Sequence, residues 1–474
     1  MLRHMSKGYS LMLVGLIEMA APFVRMIALS HTLSLLELGF VSALTATVGA
    51  FEQISDFAIY RYVFSAAREE YDDALAAAHG LAILRGFAVG ALVALAAPAL
   101  ARLFDLEGHV YDFILLGPII AIRGFDHLAP RVSERDYVYG PQLKAIAASY
   151  GASLAVLLIA LHFIPTHVAF VISLYAQVIV QVAASHLVSG VKYRVAFMTP
   201  RFFAAFRFGY PLMFNGMGLA ASYHGDRFLI GGLLGLPELA VYSVVTLATV
   251  VPSGLISRVT GPINLAQLYN ASKSQDGSYV ARLRLSARVM PLIAAFYALG
   301  VIALLNIVVP LVFGAKFFLS PTSTALLGLS IFLRQARGDP FVAMLMNEGR
   351  TKRLAIANLA STSALVFEAA LLLIFHNFEA VMMGRLIGEA IATVVTLVIT
   401  RDLFRPAFGD FLKAGAVGFA VLGAAIALGS AGVGQIPLPS VAMVIAGLIV
   451  FALWALSFLP GMLDASFPAI RLKA

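Results

Sequence analysis

Apolar residues run through this chain in blocks of about twenty, separated by short polar stretches that carry most of its charge. A helix rising 1.5 Å per residue needs about that many residues to cross a hydrocarbon core of about 30 Å. Within the blocks apolar side chains occupy consecutive positions rather than every second one, which excludes the strands of a membrane barrel. The pattern predicts helices near 9–33, 37–62, 79–104, 110–130, 143–163, 167–189, 207–234, 238–262, 284–313, 319–346, 354–376, 378–400, 411–431 and 437–459. The expected fold is an all-α polytopic membrane protein with about 14 transmembrane helices.

The polar connections alternate in charge. Arg3 and Lys7, Arg61 and Arg68, Arg131 and Lys144, Arg194 and Arg201, Arg282 and Arg284, Arg350 and Arg353, Arg401 and Lys413, and Arg471 and Lys473 fall on one side, against Arg102 and Lys316 on the other. Basic loops stay in the cytoplasm, so both termini are expected inside and the number of spans is even. A signal peptide is a poor reading of the N-terminus, because the apolar run is too long and contains Glu18 and Arg25.

The segment from Leu33 to Ser42 recurs from Leu234 to Ser243, at a constant offset of 201 residues from Glu37 to Glu238. Both copies sit where one helix ends and the next begins. Six spans separate them, so the halves run in the same sense, related by a two-fold axis along the membrane normal. This predicts two pseudo-symmetric six-helix lobes plus two C-terminal helices: 1–200, 201–405, and 406–474 with a short cytoplasmic tail. Residues 411–459 are expected to pack toward lipid.

Composition agrees. Hydrophobic residues make up 61% of the 474 and charged residues 12%, about half the share with which a soluble domain covers itself. The excess of +8 follows from the basic loops; no soluble basic face is long enough for nucleic acid. There is no cysteine, which excludes disulfides, thiolate metal sites and cysteine nucleophiles.

Ionisable groups inside spans cost several kcal/mol unless paired or wetted, and each asks for a reason. Glu18 and Arg25 lie seven apart on one face of the first helix. Glu52 and Asp56, Gln177 and Gln181, and Arg385 and Glu389 are spaced four apart. Arg85 lies in the third helix, and Asn215, His224, Asp226 and Arg227 in the seventh. The repeat offset sets Arg25 opposite Asp226 and suggests a salt bridge between halves. Arg123, Arg258 and Arg334 suit snorkelling near helix ends. Histidines 79, 109, 162, 167, 186 and 376 lie near loop ends without metal spacing, and no metal is expected. The Arg201 to Phe208 segment reads as an amphipathic surface helix, and 265–283 as a solvated connector.

The string from Asp226-Arg227 through Ile230-Gly231 and Gly235 to Tyr242-Ser243 resembles the polysaccharide transporters, the Wzx-like oligosaccharide flippases. Asp56-Phe57-Ala58 is a weaker echo, with alanine where that family often has glycine. The resemblance implies membership of the superfamily that also holds multidrug extruders and peptidoglycan-precursor flippases. It implies a transporter, not an enzyme, in the bacterial inner membrane, moving an undecaprenyl-diphosphate-linked oligosaccharide to the periplasmic leaflet by alternating access. Its partners would be that lipid-linked oligosaccharide, membrane lipids and, as candidates, polysaccharide-assembly proteins. Arg25, Arg85 and Arg227 are suited to a pyrophosphate. No nucleotide-binding loop or cofactor motif is present, which leaves H+ or Na+ as coupling ion. The alternatives are a cation-coupled multidrug extruder, favoured by acids and opposed by the many arginines, and a polysaccharide polymerase or ligase, opposed by the short outer connections.

Overall fold

The computed structural model describes residues 2–136, 138–273 and 278–430; the side chains of residues 2–12, Asn215, Val259, Asp339, Thr351 and 428–430 fall outside that description. The expected span 437–459 and the tail also lie outside the described residues. All regular structure among the described residues is helical: α1 (Leu2–Thr32), α2 (Leu35–Ile54), α3 (Ile59–Ser65), α4 (Tyr71–Leu103), α5 (Val110–Ile114), α6 (Leu116–Arg123), α7 (Ala129–Val132), α8 (Gly140–Phe163) and α9 (His167–Val188). There follow α10 (Pro200–Leu233), α11 (Leu236–Lys273), α12 (Ser278–Phe313), α13 (Pro321–Asn347), α14 (Thr351–Ser361), α15 (Ser363–Phe375), α16 (Phe378–Ile399), α17 (Arg401–Phe404) and α18 (Phe408–Ser430).

Helix starts follow local chemistry. Ser34, Thr199, Ser320 and Asn377 accept the N–H three residues on, capping α2, α10, α13 and α16. Pro200 and Pro321 occupy first turns, where their missing N–H costs nothing. Ten helices among the described residues are long and apolar enough to cross a membrane. The expected spans 110–130, 207–234 and 319–346 are not among those ten. The first divides into short helices, while α10 and α13 carry buried or half-buried charges, Asp226 and Arg227 in one and Arg337 in the other.

By internal packing the chain forms two compact units, Met1–Val244 and Val245–Ala474. In the first, α8 and α9 form a hairpin against which α1 packs, α4 lies on α6, and α10 on α2. In lipid, apolar burial between helices gains little, and close packing must do the joining. Gly90 and Gly117 show how: a Cβ on Gly90 would lie 2.5 Å from the Gly117 carbonyl oxygen, so α4 and α6 meet backbone to backbone. Leu95 and Leu187 are 79% and 86% exposed, a disposition suited to acyl chains.

The second unit packs α12 against α13 and α18, and α16 against α13 and α15. Phe341, Phe404 and Phe411 form one cluster, with the Phe341 and Phe404 ring centres 4.3 Å apart. Leu422 of α18 is buried against Ala294, Ala298 and Phe332, and Asp410 receives Arg288 at 2.9 Å. The thirteenth expected span thus presents a packed face within its unit.

Several expected elements differ. The second span, 37–62, breaks at residues 55–58, and 354–376 breaks at Thr362. The Arg201–Phe208 segment is no separate surface helix but the first turns of the 34-residue α10. Most of 265–283 is helical, as the ends of α11 and α12. Asn270 and Ser272, which read as a loop in the sequence, lie in the last turn of α11.

Candidate functional site

Charged side chains in the first unit gather where α2 stops. Asp56 Oδ1 accepts the Ala58 N–H at 2.8 Å, and Ala58 takes a left-handed conformation, φ 45° and ψ 41°. That turn leaves the last carbonyls of α2 without helical partners. Arg85 of α4 answers them, donating to the Glu52 carbonyl at 3.0 Å and to Ser55 Oγ at 3.1 and 3.2 Å. The Glu52 carboxylate is taken by Arg123 of α6 at 2.5 Å. Glu52, Asp56, Arg85 and Arg123 are therefore brought together, and Arg123 forms an ion pair instead of snorkelling.

Arg25 lies deeper in α1, half-buried. It donates to Gln177 of α9 at 2.7 Å and Ser153 of α8 at 3.2 Å, with its guanidinium 5.7 Å from the centre of the Phe170 ring. Both hydrogen-bond partners are neutral, and among the described residues no carboxylate lies within ion-pair distance of Arg25. Glu18, two turns earlier, is exposed. Its influence reaches Glu134 in the turn at 133–136, whose carboxyl is lifted above its ordinary range mainly by burial; Glu18 adds to the lift and Arg131 opposes it.

On α10, Asp226 is 5% exposed and accepts the hydroxyl of the buried Tyr242 on α11. Gly235, at φ 110°, makes the turn between these helices. The Asp, Gly and Tyr of the family string thus form one device, a hairpin stapled across its two arms. The expected Arg25 to Asp226 salt bridge is not formed, because each side chain has nearer partners on its own neighbouring helices. Arg227 stays on its own helix, donating to the Tyr223 carbonyl at 3.3 Å and lying 3.3 Å from His224 Nδ1. The His224 ring occupies the space that a Cβ on Gly49 of α2 would need, 2.4 Å from that position. The Asn215 side chain lies outside the described residues.

In the second unit, Glu389 of α16 pairs with Arg337 of α13 at 3.0 Å, and not with Arg385 four residues before it. Arg337 also donates to Ser361 Oγ at 2.8 Å and is 9% exposed. Sequence reading missed Arg337. Its signal was available, an arginine three residues beyond Arg334 in the middle of α13 and too far from the helix ends to snorkel. Among the histidines, His79 is fully buried and lies 2.8 Å from the Arg194 carbonyl, while His186 is exposed and lies 3.0 Å from that of Phe125.

Solved structures place this architecture. The lipid II flippase MurJ, in an inward closed conformation, matches with a TM-score of 0.72 at 13% identity, covering 96% of this chain and 98% of that one. An inward-facing multidrug resistance transporter of the MATE family, in the MOP superfamily, matches with a TM-score of 0.55 at 16% identity over 84% of this chain and 94% of its own. This chain shares the all-α fold of these two proteins. More narrowly, the chain belongs to the polysaccharide biosynthesis protein family, whose sequence profile matches residues 28–320. No curated protein matches the sequence.

Proposed function

We propose that this protein is a flippase that carries an undecaprenyl-diphosphate-linked oligosaccharide from the cytoplasmic to the periplasmic leaflet of the bacterial inner membrane, for surface polysaccharide biosynthesis. Family membership supplies the polysaccharide setting, and a fold shared along 96% of the chain with a lipid flippase supplies the type of movement. The observation that carries the reading to a residue is Arg25: an intramembrane guanidinium held in place by neutral partners, its charge left for an anion. A planar guanidinium fits a diphosphate through paired hydrogen bonds. Glu18, Arg85, His224 and Arg227 are the other proposed substrate contacts of the first unit, and within the second unit, taken by itself, Arg385 and Glu389 are proposed contacts. Both termini face the cytoplasm, and an H+ or Na+ gradient drives the cycle.

Arg25→Ala is expected to leave the protein folded and inserted while lipid-linked units accumulate on the cytoplasmic leaflet and surface polymer is lost. Arg25→Lys keeps the charge and is expected to restore part of the flux. Normal surface polymer from Arg25→Ala would overturn the assignment of this residue. Accumulation of units on the outer leaflet in a deletion strain would indicate a polymerase or ligase instead, and altered drug susceptibility a drug extruder.

A further inference from the structure

A second cluster lies away from the arginines, where the start of α2, the turn before α5 and the start of α9 meet. His167, the first residue of α9, has a side chain only 7% exposed. Glu37 Oε2 accepts both its backbone N–H at 2.6 Å and its ring Nδ1–H at 2.9 Å. An ionised carboxylate only accepts, so Nδ1 carries the hydrogen toward Glu37 and Nε2 is the ring nitrogen left to face the cluster. That Nε2 is buried without a hydrogen-bond partner. Asp112 Oδ2 lies 3.5 Å from it, and the same oxygen lies 3.0 Å from His109 Nδ1.

A buried imidazole nitrogen with no hydrogen-bond partner, set 3.5 Å from a carboxylate oxygen that also lies against a second imidazole, leaves a place for a cation among the three. We propose that this cluster binds a divalent cation of the zinc class, with His109, Asp112 and His167 as ligands and Glu37 as the carboxylate that fixes the His167 ring. The three ligand atoms lie within 4.8 Å of one another. Bonds of about 2.0–2.2 Å in tetrahedral geometry put ligand atoms roughly 3.3 Å apart, between the two separations observed. Two imidazoles and one carboxylate suit zinc better than calcium or magnesium, which take oxygen. A histidine whose other ring nitrogen donates to a carboxylate is the usual support of such a ligand. Phe40, 3% exposed, closes the apolar side with its ring centre 4.0 Å from that of His167. His109, its side chain 48% exposed, leaves an entry path and a fourth position for water.

The test uses the full chain without a histidine tag, in detergent, stripped with a chelator and titrated with Zn2+ alone by calorimetry. One saturable ion per chain is expected. His167→Gln and Asp112→Asn are expected to abolish binding, and Glu37→Gln to weaken it by about 10–100-fold. Because variants can misfold, Co2+ added to the wild-type protein gives an independent reading: the intense visible absorption of a four-coordinate site is expected. A weak octahedral spectrum, no saturable Zn2+ binding by wild type, or unchanged binding by His167→Gln would overturn the proposal.

Discussion

Ala58 stands where the family often has glycine, and its backbone shows what the glycine would relieve. A left-handed conformation costs an L-residue about 1–2 kcal/mol, while burial of its methyl returns roughly 0.8 kcal/mol. Ala58→Gly is therefore expected to raise stability by up to about 1 kcal/mol, seen as a higher unfolding temperature in detergent; a lower one would mean that methyl packing outweighs strain. At Asp226 the expectation runs the other way. Tyr242→Phe removes a donor from a buried carboxylate, a loss of about 1–3 kcal/mol, and thermal unfolding should register it. Asp226 was visible in the sequence as a charge deep in a span. Its partner was not, since the offset between halves pointed to Arg25, whereas the phenol two turns into the next helix lies closer. Symmetry in sequence relates positions, and hydrogen bonds are decided by reach.

At the scale of elements, apolar periodicity located the spans because each must satisfy its own backbone within lipid. It missed the break in α2, where Ser55, Asp56 and Arg85 take over what backbone hydrogen bonds do elsewhere, since an apolar run looks the same whether or not its helix is continuous. Arg385 and Glu389 misled in a similar way: spacing of four permits a pair on one helix, but Arg337 reaches Glu389 from α13 with better burial. Removing one member of that buried pair should cost about 3–5 kcal/mol. Arg337→Met is expected to destabilise by that order, and Arg337→Met with Glu389→Leu to recover much of it. A double variant no more stable than the single one would show that Ser361 and the surrounding packing, not the stranded charge, set the cost. Arg85→Met is expected to lower the unfolding temperature in a way Arg25→Ala does not, because Arg85 serves the end of α2 while Arg25 holds only two neutral side chains.

At the scale of the first unit as a whole, the two copies of the repeated segment are not only similar but adjacent. The Leu236 carbonyl oxygen lies 2.0 Å from where a Cβ on Gly39 would sit, so Gly39→Leu is expected to block this approach, measured as loss of folded protein in the membrane fraction. Histidines far apart in sequence were unreadable as a cluster for the converse reason: His109 and His167 come together only when α4, α5, α8 and α9 have packed. The interruption of α2 has one more consequence. A helical rod that must bend in lipid has to sacrifice internal bonds, whereas here the joint is already open and fastened from outside by a guanidinium on another rod. Swinging α3 about Ala58 would leave both that fastening and the ladder of α2 whole, because the acceptors of Arg85, the Glu52 carbonyl and Ser55 Oγ, precede the turn.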